Sequence, residues 1–179
     1  MENEKRLIPA TPDGEIFTVG GVEFIKFPEE DGKVPAVAAK PLFASEFGAN
    51  NDLRNSKILK KLEREFLPKI RASVGEEGLC TIHTDLTTLD GLTPYGVMES
   101  MVSLPALDFY RRNVSVFDKH PCNAWWWLAT AQIAAPHGST RWILCVSPSG
   151  FILSDYCSFD NGVRPFLLFN ASIFESSVE

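Results

Sequence analysis

No run of about 18 apolar residues, the length a membrane-spanning helix needs, occurs in this chain of 179 residues. A membrane span is therefore not expected. There is no Gly-x-Ser-x-Gly elbow, phosphate-cradling glycine loop, dinucleotide fingerprint or calcium loop, so the chemistries those motifs carry lose their sequence support. Internal repeats and low-complexity tracts are missing as well. Basic residues are in short supply: 17 Lys and Arg stand against 23 Asp and Glu, for a net charge of −6. That balance argues against direct binding of nucleic acid or an anionic membrane. The opening residues, Met1 to Arg6, lack the basic-then-apolar layout of a secretory leader. Cys80, Cys122, Cys145 and Cys157 are accordingly expected as free thiols in a reducing cytoplasm, that of a bacterial host.

What is present suits one folded domain. The apolar fraction is 45%, enough for a buried core and too high for a disordered chain. Residues 1–14 read as a flexible polar arm, and 15–179 as the domain. Ile16 to Val19 and Val22 to Phe27 flank Gly20-Gly21, the pattern of a tight hairpin. Val34 to Ala39 suggests a third strand, placed at an edge by Pro35. Leu53, Ile58, Leu59, Leu62 and Phe66 repeat at helical spacing, predicting a helix from about Asp52 that Pro68 ends near Leu67. Leu79 to Thr84 has strand composition, and Ser103 is placed to cap a short helix over 104–112. Beyond Trp125 the chain reads as β, with a last strand over 163–169.

Several constellations invite a chemical reading. Cys80-x-x-His83 and His120-x-Cys122 supply four side chains of zinc-ligand type. Residues three apart on a strand point to opposite faces, however, so a regular strand at 80–83 cannot aim both at one ion. No metal or cofactor is expected. A Cys–His nucleophile pair or a Ser139–His137–Asp155 triad can be drawn, but neither has a local catalytic signature. The acidic cluster Glu29-Glu30-Asp31 reads as an exposed loop. The Lys-rich helix face interleaves bases with acids and reads as solvated surface.

Trp125-Trp126-Trp127 is the most distinctive segment. On a strand its rings alternate faces, which predicts a strand covered on both sides, with Trp126, Trp127 and Trp142 in the core. The segments Trp126-Trp127-Leu128-Ala129-Thr130, Val146-Ser147-Pro148-Ser149-Gly150 and Gly162-Val163-Arg164-Pro165-Phe166 resemble a bacterial and phage domain family of unknown function. That family carries a Trp-Trp-Leu-Arg-Ser strand, a Val-x-x-x-Gly hairpin and Gly-Val-Arg-Pro. The likeness extends upstream to Asn51-Asp52-Leu53-Arg54, Glu65-Phe66-Leu67 and Val102 to Tyr110, and so spans roughly residues 15–170. It implies an α+β, C-type-lectin-like fold related to formylglycine-generating enzymes: one domain, a twisted antiparallel sheet and two helices. It also implies a structural role for Arg164, whose five donors can fix several backbone carbonyls. Ala129 stands where the family has arginine, and the paired copper-binding cysteines of the oxidising relatives have no counterpart.

The function this supports is non-enzymatic: a cytoplasmic phage or mobile-element module that docks on a protein. Its sharpest form is an inhibitor of a host defence nuclease, an anti-CRISPR-like role in which acidic loops meet a basic channel. The binding surface is expected on loops around the core, with Glu29, Glu30, Asp31, Gln132, His137, Asp155 and Asp160 as its residues. The alternatives are a carbohydrate-binding lectin-like domain using aromatics near 132–140 and 154–161, and a thiol- or zinc-dependent enzyme.

Overall fold

The computed structural model describes residues 7–176. The chain opens with strands β1 (Ile16–Val19) and β2 (Val22–Lys26), an antiparallel hairpin closed by Gly20 and Gly21, both at positive φ. Glycine has no Cβ to oppose that conformation, which is why the two-residue turn forms here. Strands β3 (Lys33–Ala38) and β4 (Phe43–Ser45) follow. A helical run comprises α1 (Lys57–Lys61), a π-helical segment (Leu62–Phe66) and α2 (Leu67–Val74). Next come β5 (Leu79–Cys80), β6 (Ile82–Asp85), β7 (Val97–Ser100) and the short helices α3 (Leu107–Arg112) and α4 (Val114–Lys119). The β-rich end supplies β8 (Trp126–Ala131), β9 (Trp142–Val146), β10 (Ile152–Tyr156), β11 (Asn161–Val163) and β12 (Phe166–Asn170).

The class is mixed α+β. Where the sequence suggests one sheet, the strands form two five-stranded sheets, ordered β1-β2-β3-β12-β5 and β10-β9-β8-β11-β4, plus the hairpin β6-β7. All named pairings are antiparallel except β8 with β11. The last strand expected over 163–169 is in fact two. The chain leaves the second sheet after Val163, passes Arg164-Pro165, and enters the first sheet at Phe166.

Two apolar cores result. Phe24, Val34, Trp127 and Cys145 share one with the helical run through Ile58, Leu62, Phe66 and Ile70. Ile25, Val37, Trp126 and Val146 share the other with Leu107, Tyr110 and Phe117 of α3 and α4. Neighbouring residues such as Phe24 and Ile25, or Trp126 and Trp127, feed different cores because strand side chains alternate faces. All six residues of β8 are buried.

Several expectations are corrected. Pro35 lies within β3, an internal strand between β2 and β12. Its carbonyl accepts from Phe27 N, one residue past the end of β2, so the missing amide falls at the last rung. The helix starts at Lys57, with Ser56 as its cap, and runs through Pro68 to Val74. The π segment widens the backbone there, with Leu67 N bonded to Leu62 O, so the proline enters without a broken α-helical rung. Ser103 does not cap α3; its hydroxyl meets that of Thr84 at 2.8 Å. The helix over 104–112 begins instead at Leu107, whose amide donates to Thr130 Oγ1. Of the arm expected over 1–14, residues 1–6 lie outside the described residues. Within 7–14, Ile8 is buried, bridges Phe174, and exchanges bonds with Ile173 and Glu175. Among the described residues no helix is long and apolar enough to cross a membrane.

Candidate functional site

Strand β10 forms one edge of the second sheet and pairs only with β9, from Ile152↔Val146 to Tyr156↔Trp142. No residue of the strand is buried, although it opens with the apolar pair Ile152-Leu153. Phe151, Leu153 and Phe159 are 68%, 46% and 53% exposed, and Ile152 and Tyr156 are also open to solvent. Pairing fixes how these side chains are displayed. Ile152, Ser154 and Tyr156 lie on one face; Leu153 and Asp155 lie on the other.

On the first of those faces, Trp142 and Tyr156 oppose each other across β9 and β10 with ring centroids 4.0 Å apart. Phe159 adds an edge contact to Tyr156 at 5.8 Å. Trp142 is thus only half-buried, a correction to its expected core placement. Trp126 and Trp127 are buried, while Trp125 is 42% exposed. The Trp127 indole nitrogen donates to Ser45 O at 2.8 Å.

Carboxylates stand beside this aromatic edge. Asp155 accepts from the Tyr156 amide and from Asn161 Nδ2 at 3.0 and 3.1 Å, which orients it. Asp160 follows Phe159 and lines a surface hollow with Trp125, Pro41 and Gly162. Behind the edge, the 132–140 loop is fastened by Asn51. That side chain donates to Ile133 O and Trp142 O at 2.8 and 2.9 Å, and Tyr95 Oη donates to it at 2.6 Å. Gln132 is half-buried there, and His137 is exposed.

The remaining sequence candidates are scattered. Glu29, Glu30 and Asp31 are exposed on the turn between β2 and β3, in the other sheet. Cys80 lies on β5. His83, on β6, meets Glu99 at 3.0 Å. His120 Nε2 contacts Gly14 O at 2.5 Å, and Cys122 lies beside Arg164. The four zinc-type residues are not brought together, and no cluster of metal-ligating groups occurs among the described residues. Ser139 Oγ accepts from Arg141 N rather than pairing with His137. Burial pushes the Cys145 thiol up to about 12 and raises that of Cys157, the opposite of what a thiolate nucleophile requires.

A cavity of about 450 Å³ lies between β6 and α3, lined by His83, Asp85, Asp108, Arg111, Arg112 and Thr130 among others. Hydrogen bonds from the Thr87 hydroxyl and amide hold Asp85 below the usual carboxylate range. Arg111 pairs with Asp108, so the charges there are largely matched within the chain.

Arg164 is 2% exposed. Its Nε and Nη2 donate to the carbonyls of Ala38 and Ala39 at 2.9 and 3.2 Å. The guanidinium also stacks over Trp126 and Phe117, at 4.6 and 5.3 Å from their centroids. It therefore ties the crossover after β11 to the end of β3.

The residues that sequence reasoning missed are Phe151 and Leu153; Tyr156 and Phe159 are the aromatics of the 154–161 segment named for the carbohydrate-binding alternative. Nothing in composition separates an edge strand from an inner one. A scan against family models, a search of curated proteins and a search of solved structures each find no match.

Proposed function

We propose that the protein is a non-enzymatic docking module of phage or mobile-element origin, on a C-type-lectin-like scaffold, and that β10 is its docking edge. The observation that carries this reading is the free strand with apolar side chains exposed on both faces. Natural edge strands are usually blunted by lysine, proline, a bulge or a covering loop. Ile152 to Tyr156 contains no lysine or proline and pairs in unbroken register with β9. Such an edge accepts an extended segment of another protein, with backbone bonds supplying affinity and the side chains selectivity. Asp155, Asp160 and the net charge of −6 favour a basic partner. A host defence nuclease, with its positively charged channel, has that chemistry.

The test is affinity capture from a bacterial host at low salt, run in parallel with Leu153→Lys/Phe159→Ser and with Glu29→Gln/Glu30→Gln/Asp31→Asn. A stoichiometric protein partner should bind the parent and the acidic-loop variant and be lost from the edge variant. Recovery of no partner, or equal recovery with all three, counts against the proposal.

A second reading draws on the same rings. Trp142, Tyr156 and Phe159 form a partly exposed aromatic ladder of the kind on which sugars stack. It predicts a change in tryptophan fluorescence on glycan addition, and flat titrations across a diverse panel dispose of it.

A further inference from the structure

Arg164 also lines a small cavity beside the turn between β9 and β10. The space is about 100 Å³ and is bounded by Tyr110, His120, Cys122, Ser147 and Ser149, with Asp118 also on its wall. A buried guanidinium normally faces a carboxylate, because taking an unpaired charge out of water is costly. None of the ion pairs among the described residues includes Arg164. Its bonds to oxygen among the described residues use two of its three nitrogens, and both acceptors are neutral carbonyls. The other polar neighbours of the guanidinium are the Cys122 and Tyr110 side chains. The two aromatic rings beneath it offset part of the charge but supply no anion.

One further donor suits an oxyanion, the Ser147 hydroxyl. The Tyr110 hydroxyl spends its proton on Gly150 O at 2.9 Å and only shapes the wall. Ser147 Oγ accepts from Phe151 N at 3.1 Å, which leaves its proton free to donate. We propose that this cavity is a binding site for a small carboxylate, with Arg164 as its cationic floor, the Ser147 hydroxyl as a donor and Tyr110 as a wall. A volume near 100 Å³ limits the ligand to a few heavy atoms. The exposed Asp118 opposes an incoming anion, and so sets how tightly it is held. The proposal is independent of the docking edge.

Acetate is the probe, titrated at constant ionic strength with chloride as the balancing salt. Binding is read by tryptophan fluorescence, since Trp126 lies on the guanidinium, and by the Arg164 Nε–Hε signal in a ¹⁵N-correlated spectrum. The full chain should show a saturable response to acetate that moves that signal. Asp118→Asn, a substitution at an exposed position, should tighten it several-fold by removing the opposing charge. No response beyond the chloride control in either protein overturns the site. So does saturation that leaves the Arg164 signal unmoved, or affinity unchanged by Asp118→Asn.

Discussion

Gly162 stands where β11 is wedged between β4 and β8, pairing with Ala44 on one side and Trp126 on the other. A Cβ added there meets Pro41 Cγ and the Trp125 carbonyl at 2.8 Å each. Neither wall yields easily, since one is a ring and the other is backbone bonded to Gly162 N at 2.7 Å. Gly162→Ala should therefore destabilise by about 2 kcal/mol, the scale of overpacking in a filled interior. An unchanged urea midpoint refutes this account. The neighbouring residues divide the work: Val163 fills a core, Arg164 ties the crossover to β3, and Pro165 begins the passage to the other sheet. A second residue-scale prediction concerns Cys145, whose ordinary value of 9.0 rises to about 12 because the fully buried thiol cannot be solvated as thiolate. In the unfolded chain that thiol ionises near pH 9, while in the folded protein it stays protonated. Stability linked to it is complete below pH 9 and falls progressively as pH rises toward 12. Burial raises Tyr95, Tyr110 and Cys157 in the same direction, adding to the slope. Melting temperature should decline from pH 9 to 10.5, and less steeply in Cys145→Ala; a flat profile rejects the assignment.

At the scale of elements, the helical run starts at Ser56 because that side chain, fully enclosed, accepts from Leu59 N at 3.0 Å. Ser56→Ala should cost about 1 kcal/mol in urea unfolding; a loss below a few tenths removes the cap from the account. Asp52, the start expected from sequence, caps only the single turn Leu53–Asn55. The hairpin β1-β2 was legible because Gly-Gly encodes its turn directly. The π segment was not: it depends on accommodating Pro68 within a helix already packed through Leu62, Phe66 and Ile70. Leu79 to Thr84 reads as one strand, yet it breaks at Thr81 and serves two different sheets. Residue composition reports strand preference without reporting the partner. The same limit hid the docking edge. Ile152 and Leu153 have the composition of buried strand residues, and only the sheet order reveals that nothing lies beyond them.

The molecule as a whole is assembled from both ends of its chain. Strand β12, near the end of the described residues, lies between β3 and β5 and makes five register pairs with β3. Strand β11 likewise separates β8 from β4. Each sheet thus places a late strand beside early ones, and neither can be completed until most of the chain is present. Loss of β12 would open the inner face of the first sheet, remove Leu167 and Phe169, both fully buried, from the core, and leave β5 without its sheet partner. A chain ended after Val163 should consequently fail to fold, not merely lose a strand. Its amide spectrum should lack the dispersion of the full protein. In the full protein, tryptophan emission, which reports chiefly on the second sheet, and far-ultraviolet dichroism, which reports on both sheets and the helices, should follow one thermal transition. A dispersed spectrum from the shortened chain, or two separated transitions in the full one, would mean that the sheets fold independently despite their interleaved strands.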